Sequence, residues 1–206
     1  MPQTIDVHPI KNKLEFNAFF GFPWVLYKDD PNWVPPLLSI RRQLLDKSKH
    51  PAWKYMDGEF FGAWRGDELV GTIVALINHT HNEYHDENIG FFGMFETIDD
   101  AEVGKALLDK AIDWVKAKGA DGIRGPANFT SNEEWGVLVD NFSAPMIMMP
   151  YNPTYYQTMI EAAGFTKAMD IYSMYIDRPL IEEHETFKRL ERIVSRATKR
   201  SNIVVR

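Results

Sequence analysis

Several polar residues follow one predicted strand and could act on an amine. The segment "NFTSNEEWG", residues 128–136, comes directly after a predicted buried strand. Ligands of open α/β sheets gather at the carboxyl ends of strands, and Asn128, Glu134 and Trp135 offer an amide, a carboxylate and a flat ring there. If Glu134 faces a cleft, it could deprotonate a substrate ammonium or attract a cation. The alternative is a solvent-facing turn in which Ser131 caps a helix start and Glu134 completes the capping box.

A second group of ionisable residues lies in "NHTHNEYHDEN", residues 78–88. If this segment continues a strand, His79 and His81 project to the same face and could hold a metal or serve as a base. The sequence offers no obvious third ligand, so we predict no metal site. An exposed polar hairpin tip explains the same residues.

Acidic residues crowd the turn in "FETIDDAEVGK", where a strand passes into a long helix. Four carboxylates lie within seven positions: Glu96, Asp99, Asp100 and Glu102. Asp99 or Asp100 is a suitable N-cap, and Glu102 completes a capping-box pattern with Asp99. Such a helix start satisfies its own backbone amides and repels a second anion. The turn therefore favours a capped core helix over a diphosphate site.

The hydrophobic pattern predicts the elements that position these residues. The order is strand, two helices, three-stranded meander, helix, strand, helix and strand, with the last strand at residues 166–177. A hairpin is indicated by two apolar runs separated at residues 65–68. The long helix presents one apolar stripe, formed by Gly104, Leu107, Leu108, Ala111 and Val115. A meander followed by βαβ-like units indicates an α/β fold with a mixed sheet flanked by helices.

Composition excludes several classes of function. The chain has 206 residues and no cysteine, which rules out thiolate catalysis and disulfides. A net charge of −6 argues against nucleic-acid binding. No segment approaches the roughly 20 apolar residues of a membrane helix, so we predict no membrane partner and a cytoplasmic location.

Two segments carry a resemblance to a known superfamily. "VGKALLDKAIDWVKAKGADGIRG" resembles the central helix and following strand of the GNAT (Gcn5-related N-acetyltransferase) superfamily, and "YYQTMIEAAGFTKAMDIYSMYI" resembles its last helix, Gly-Phe turn and final strand. The likeness covers residues 5–177. The chain further resembles a bacterial GNAT-like subgroup with a degenerate pyrophosphate loop. The resemblance implies a GNAT-type fold and transfer of an acyl group from acetyl-CoA or another acyl-CoA to a small-molecule amine.

The resemblance also implies positions for the coenzyme. In the superfamily an Arg/Gln-x-x-Gly-x-Gly/Ala turn presents backbone amides to the pyrophosphate at a helix start. Here Gly104 matches the last motif position, while Glu102 and Asp99 replace the first glycine and the arginine. The implied cofactor-binding residues are two on the preceding strand, two at the helix start and one near the cofactor arm: Phe95, Thr97, Val103, Gly104 and Asn152.

The superfamily often uses a tyrosine four residues before the Gly of the Gly-Phe turn as a general acid for the departing thiolate. Ile160 occupies that position here, and Tyr156 lies one turn earlier on the same face. The resemblance therefore implies Tyr156 as the substitute acid, beside Glu134 as the catalytic carboxylate. The alternative is that Tyr155 and Tyr156 are packing residues of an amphipathic helix.

The resemblance implies two domains. Residues 1–177 form the GNAT-like domain, and residues 178–206 add a helix and the beginning of a second, truncated domain, with "SNIVVR" as its first strand. Two functions remain open: an N-acyltransferase, or a non-catalytic GNAT-like domain that pairs with a second GNAT domain or forms a homodimer. A third reading, transfer from a donor such as aminoacyl-tRNA, has little support from the acidic balance.

Overall fold

The structure is a computed structural model that describes residues 4–130, 132–174, 177–179 and 184–201. The chain divides into two compact units, Met1–Thr166 and Lys167–Arg206, and each is described by itself. The domain boundary predicted after residue 177 lies inside the second unit. The predicted strand "SNIVVR" lies outside the described residues, except for Ser201, which ends a helix.

The first unit is built on one five-stranded sheet whose strands neighbour each other in chain order. The strands are β1 (Ile5–Pro9), β2 (Met56–Arg65), β3 (Glu68–Asn78), β4 (Ile89–Thr97) and β5 (Gly122–Arg124). The first four pair antiparallel, and β5 pairs parallel to β4. This is the mixed α/β sheet that the sequence predicts, a meander followed by a βαβ unit.

The described residues include six α-helices, five of them in the first unit. They are α1 (Lys13–Leu26), α2 (Leu38–Leu45), α3 (His79–His85), α4 (Ala101–Ala117), α5 (Tyr156–Ala162) and, in the second unit, α6 (Glu185–Ser201). A 3-10 turn at Pro51–Lys54 precedes β2. In the described part of the chain no helix combines the length and the apolar character needed to cross a bilayer.

Helices cover both faces of the sheet, and each face has its own core. On one face Leu107 of α4 and Ile160 of α5 pack with Phe61 of β2. On the other face Phe19 of α1 and Leu45 of α2 pack in a second cluster. The central strands β3 and β4 are therefore largely apolar, as expected of strands that are buried on both sides.

The apolar stripe predicted on α4 is confirmed. All five of its positions are buried: Gly104, Leu107, Leu108, Ala111 and Val115. Of the two predicted N-cap residues, Asp100 is the cap, and its side chain accepts hydrogen bonds from the backbone amides of Glu102 and Val103. Asp99 is not the cap, so the predicted capping box with Glu102 is wrong. Local sequence signals thus place this helix correctly, because a cap and a stripe with helical spacing both depend on near neighbours.

The predicted hairpin is also confirmed. β2 ends at Arg65 and β3 begins at Glu68, so the turn has two residues. Gly66 adopts a φ of 60°, in the left-handed region that a two-residue hairpin turn requires and that glycine enters without strain.

The histidine segment is not the continued strand that would place His79 and His81 on one face. It forms helix α3, and the side chain of Asn78 caps it by accepting from the backbone amide of His81 at 3.0 Å. Residues two apart do not face each other on a helix. His79 lies 3.4 Å from Asp57 instead, and His81 lies 3.3 Å from Glu87.

The last predicted strand is wrong for its described part. Residues 166–174 form no strand, and their large apolar side chains, including Ile171 and Met174, are exposed. The alternating pattern favours a strand locally, but a strand is stable only when a neighbour pairs with it. None of the described residues pairs with this segment.

Candidate functional site

A bulge bends β4 near its end. Between Gly93 and Glu96, β4 takes three steps where β3 takes two. Met94 carries the extra step with a φ of 47°, a conformation that is uncommon outside glycine. Its amide donates to the side-chain oxygen of Asn128 at 2.9 Å, and its carbonyl accepts from the hydroxyl of Thr72 at 3.0 Å. Bulges re-aim the residues that follow them, and here the next polar residue is Glu96.

The Glu96 carboxylate lies partly buried among aromatic residues. Its Oε2 accepts hydrogen bonds from the hydroxyl of Tyr27 at 2.7 Å and from that of Tyr156 at 2.9 Å. Burial raises the pKa of Glu96 to about 7, although the two hydroxyl groups and the charge of Arg41 act in the opposite direction. A carboxylate with such a pKa exchanges a proton near neutral pH, which is what a general base needs.

A buried arginine adds a positive charge beside this carboxylate. The side chain of Arg41 is 7% exposed, and its Nε donates to the carbonyl of Phe20 at 3.2 Å. Burial lowers the pKa of Arg41, and the charges of Glu96 and Glu134 oppose that shift. The Nη2 group has no hydrogen-bond partner among the described residues. Because a buried unpaired donor is unfavourable, this nitrogen is suited to bind an oxygen of a ligand.

Glu134, the predicted catalytic carboxylate, lies in a loop that is fastened to the bulge. Its carbonyl accepts from the amide of Asn128 at 3.1 Å, and its carboxylate accepts from the Asn128 side chain at 3.3 Å. Asn128 therefore joins Glu134 to Met94. Loss of water around the carboxylate raises the pKa of Glu134, and Arg41 counteracts this. Ser131, the predicted cap of this loop, lies outside the described residues.

Tyr156, the predicted acid, begins α5 and is almost fully buried. Its hydroxyl donates to Glu96 and accepts from the amide of Thr97 at 2.8 Å. Its ring packs edge-on against Phe95, with 5.1 Å between centroids. Burial raises the pKa of Tyr156 well above its usual value, so the hydroxyl keeps its proton at neutral pH. The side chain is thus a core residue that also contacts the acid of the site.

At the start of α4 the backbone amides already have a partner. The amides of Glu102 and Val103 donate to Asp100 Oδ1 at 2.9 and 3.3 Å. Arg65, from the hairpin, forms an ion pair with Asp100. That hydrogen-bonded ion pair lowers the pKa of Asp100, and the two amides add to the effect. The turn is therefore less negative than its sequence indicates, but its donors are occupied.

The other predicted cofactor residues also use their polar groups inside the protein. Gly104 faces α5 so closely that an added Cβ would lie 2.0 Å from Met159 Sδ. Thr97 donates its hydroxyl to the carbonyl of Ile98 at 3.1 Å. Asn152 is buried, accepts from the amide of Leu138 at 2.7 Å and donates back to its carbonyl at 3.2 Å. Phe95 and Thr97 lie on β4, Val103 and Gly104 on α4, and Asn152 just before α5.

No sequence pattern indicates a catalytic role for three members of the polar cluster, namely Tyr27, Arg41 and Glu96. In the sequence Glu96 belongs to the acidic turn, although it interrupts the apolar strand "FFGMFET". A single ionisable residue in a strand that is apolar on both faces is the signal that could have identified it. Arg41 carries no comparable signal, because an arginine on a short helix is usually exposed.

Comparisons with known proteins agree with this architecture. A model of the Acetyltransferase (GNAT) family matches residues 24–132. Protein YghO of Escherichia coli K12 is 35% identical over 185 residues, which are 89% of this chain and 47% of YghO. A bacterial ceramide synthase of Caulobacter vibrioides is 34% identical over 175 residues, 84% of this chain and 46% of that protein. The chain thus spans about half the length of these curated relatives.

A solved structure shows the same fold at lower identity. AAC(6')-Iy, in complex with the bisubstrate analogue CoA-S-monomethyl-acetylneamine, superposes with a TM-score of 0.51 and 15% identity, over 85% of this chain and 99% of that one. The family match covers more than half of the chain, including Arg41, Glu96 and the start of α4. The chain therefore belongs to the GNAT acetyltransferase family.

Proposed function

We propose that the chain is an N-acyltransferase that moves an acyl group from a coenzyme A thioester to an amine, with Glu96 as the general base. One observation carries the proposal. A carboxylate with a pKa of about 7 lies directly after the β4 bulge and is held by two tyrosine hydroxyls. An amine is protonated at neutral pH, and a base of matched pKa must remove that proton before nitrogen can attack.

The chemistry assigns a task to each group. Glu96 takes a proton from the ammonium, the nitrogen attacks the thioester carbonyl carbon, and the C–S bond breaks as the amide forms. Arg41, whose Nη2 is unpaired among the described residues, stabilises the negative charge on the carbonyl oxygen. Tyr156 gives a proton to the departing thiolate and recovers one from Glu96 through the hydrogen bond between them. Glu134 attracts the ammonium.

The donor must fit the start of α4. In this proposal the coenzyme diphosphate displaces the Asp100 carboxylate from the amides of Glu102 and Val103, and Arg65 exchanges Asp100 for a phosphate oxygen. An arginine suits a phosphate because it binds two oxygens at once. Phe95, Thr97, Val103, Gly104 and Asn152 remain the proposed cofactor-binding residues.

The acceptor we favour is an amine with a long hydrocarbon chain. The relative from Caulobacter is named a ceramide synthase, and ceramide is by its chemistry an N-acyl amide of a long-chain amino alcohol. Because this chain spans about half of that relative, the acceptor is proposed from the shared half only. A cytoplasmic location and a second GNAT domain or second copy as partner likewise remain predictions.

A non-catalytic role is the second candidate, and one observation favours it. The α4 amides are capped by Asp100, and Ile160 stands where the resemblance implies a tyrosine acid. Such a domain would serve as a structural partner to another GNAT domain.

Two measurements on the purified chain separate the candidates. Thiol release from acetyl-CoA and palmitoyl-CoA is followed with 2-amino-1,3-propanediol as the amine, and coenzyme A binding is measured by calorimetry. The transferase proposal predicts amine-dependent thiol release and binding that weakens with salt, since a diphosphate binds partly through charge. If coenzyme A does not bind and no thiol is released, the result supports the non-catalytic role.

A further inference from the structure

Two segments of the first unit place an uncharged apolar surface beside the Glu96 site. Residues 31–40 and 141–153 contain no Asp, Glu, Lys or Arg. We call their exposed apolar side chains, together with that of Val139, the apolar rim. Its members are Val34, Leu37, Leu38, Ile40, Val139, Met146, Ile147 and Met148, each more than half exposed. Soluble proteins seldom expose so many apolar residues together unless the surface has a partner.

Hydrogen bonds join the second segment to the first segment and to Asp30, the residue just before the first segment. The Asn32 side chain donates to the carbonyl of Phe142 at 3.0 Å. The hydroxyl of Tyr151 donates to Asp30 Oδ2 at 2.7 Å. These bonds join residues more than a hundred positions apart in the chain.

The surface continues inward to the carboxylate through stacked rings. Trp33 lies in the first segment and stacks on Tyr27, with 5.1 Å between centroids. Tyr151, at the end of the second segment, packs against the same tyrosine at 6.0 Å. Tyr27 donates its hydroxyl to Glu96. Contacts between aromatic rings therefore connect both segments to Tyr27, which contacts the proposed base.

We infer that the apolar rim seats on the hydrocarbon edge of a lipid layer, from which an amine-bearing lipid enters the cleft with its tail still in the layer. This inference rests on the proposed function for the identity of the substrate. Lipid fits the composition better than a protein partner does, because a charge is costly in hydrocarbon and the two segments contain none, whereas a protein interface usually has a polar rim.

The backbone and side chains of the segments suit an apolar medium. Each has several prolines, including Pro35, Pro36, Pro145 and Pro150. Proline has no amide hydrogen, so these segments bring fewer unpaired donors into a medium without water. Met146 and Met148 flank Ile147, and flexible methionine side chains adapt to disordered neighbours.

The test measures partition of the purified chain into vesicles of neutral phosphatidylcholine, without coenzyme A or amine, at about 0.5 M salt. Salt at this level screens attraction between exposed charges, so electrostatic adsorption through the basic residues of α6 is suppressed. We expect the chain to sediment with the vesicles. Ile147→Asp, at a side chain 94% exposed, should weaken partition about tenfold, and Leu37→Asp should do the same from the other segment.

Leu14→Asp is the matched control, since Leu14 is 82% exposed and lies at the opposite end of α1 from Tyr27. It should leave partition unchanged. No sedimentation of the wild type, or equal weakening by the control, overturns the inference. The inference is also overturned if the chain does not bind vesicles and forms a dimer that Ile147→Asp dissociates, because the apolar rim would then be covered by a second copy.

The two proposals fail separately. Transfer to water-soluble 2-amino-1,3-propanediol tests the chemistry alone, and vesicle binding without substrates tests the apolar rim alone. Transfer without vesicle binding rejects the lipid surface and keeps the transferase. When both occur, sphinganine presented in vesicles should react faster than the short amine, and equal rates would contradict entry from the lipid layer.

Discussion

The acids at the two ends of the β4–α4 turn, Glu96 and Asp100, are four positions apart and have opposite environments. Glu96 is enclosed by aromatic side chains, and burial raises its pKa to about 7. Asp100 binds Arg65 and two backbone amides, and the ion pair lowers its pKa. Loss of water penalises a charge, whereas a cation and amide donors favour it. The number of acidic residues in a stretch of sequence therefore does not predict whether any one carboxylate is ionised at neutral pH.

The two carboxylates also differ in what they are able to do. Glu96 can gain or lose a proton at neutral pH and is partly exposed. Asp100 stays ionised and completes a helix. Substitutions in and around this turn test whether these two roles are distinct.

The largest effect is expected for Glu96→Gln. If Glu96 is the base, the substitution lowers kcat for acyl transfer by roughly 10²–10⁴-fold, measured as thiol release from palmitoyl-CoA. The wild-type rate should rise as pH increases through about 7, because only the ionised carboxylate accepts a proton. The variant should lack this dependence.

The control for that substitution is Glu102→Gln, which removes an exposed carboxylate from the same turn. It should change kcat by less than about twofold, since exposed charges act weakly in water. Glu96 also affects stability. Its native pKa exceeds the unfolded value, so the free energy of unfolding should fall by roughly 2–3 kcal/mol as pH rises from about 4.5 to 7. Glu96→Gln should reduce that slope, and an unchanged slope would contradict the assignment.

A smaller effect is expected for Gly104→Ala at the start of α4. The new methyl group would lie 2.0 Å from Met159 Sδ, and overpacking of this kind destabilises by about 1–3 kcal/mol. In an unhindered helix the same change would stabilise by up to about 1 kcal/mol, so the sign decides whether close packing explains this glycine. Chemical denaturation measures it.

Gly122→Ala is the matched control, because its added Cβ would have nothing nearer than 3.9 Å. Adding Met159→Ala to Gly104→Ala should recover part of the loss. If Gly104→Ala leaves the free energy of unfolding unchanged or raises it, close packing does not explain this glycine, and a ligand-binding role is favoured.

The smallest effect is expected for Asp100→Ala. Loss of the cap should lower the free energy of unfolding by about 0.5–2 kcal/mol, measured at pH 7. Because the folded pKa of Asp100 is depressed, the difference from wild type should disappear as pH falls below about 4. Under the transferase proposal the freed amides and Arg65 should also bind coenzyme A more tightly, as calorimetry would show.

Asp99→Ala is the comparison for this variant, since the neighbouring carboxylate is exposed and is not the cap. Its effect should stay within about 0.5 kcal/mol. Equal losses in both variants would mean that the turn is stabilised by its total charge and not by one hydrogen-bonded cap.

Local patterns predicted the elements whose stability depends on near neighbours. The α4 stripe and the hairpin at Gly66 were correct, because helical spacing and turn geometry are set within a few residues. The strand at residues 166–177 was not found in its described part, because alternation alone cannot supply a pairing partner. The helix at His79 was missed for a related reason, since its Asn78 cap overrode an apparent continuation of β3.

The candidate site could be predicted only in outline. The resemblance led to Tyr156, and the position after β5 led to Glu134. Neither reasoning found Glu96 or Arg41, since the roles of these residues depend on what surrounds them.

Short-range spacing was enough to predict the order of β1–β5 along the chain and the central helix with its apolar stripe, and two quoted segments were enough to indicate the superfamily. Only the folded arrangement distinguishes the two acids. Glu96 obtains its hydroxyl partners from residues 69 and 60 positions away, and Asp100 obtains its arginine from 35 positions away. A carboxylate's pKa follows from the water, charges and donors around it, and only folding brings those together.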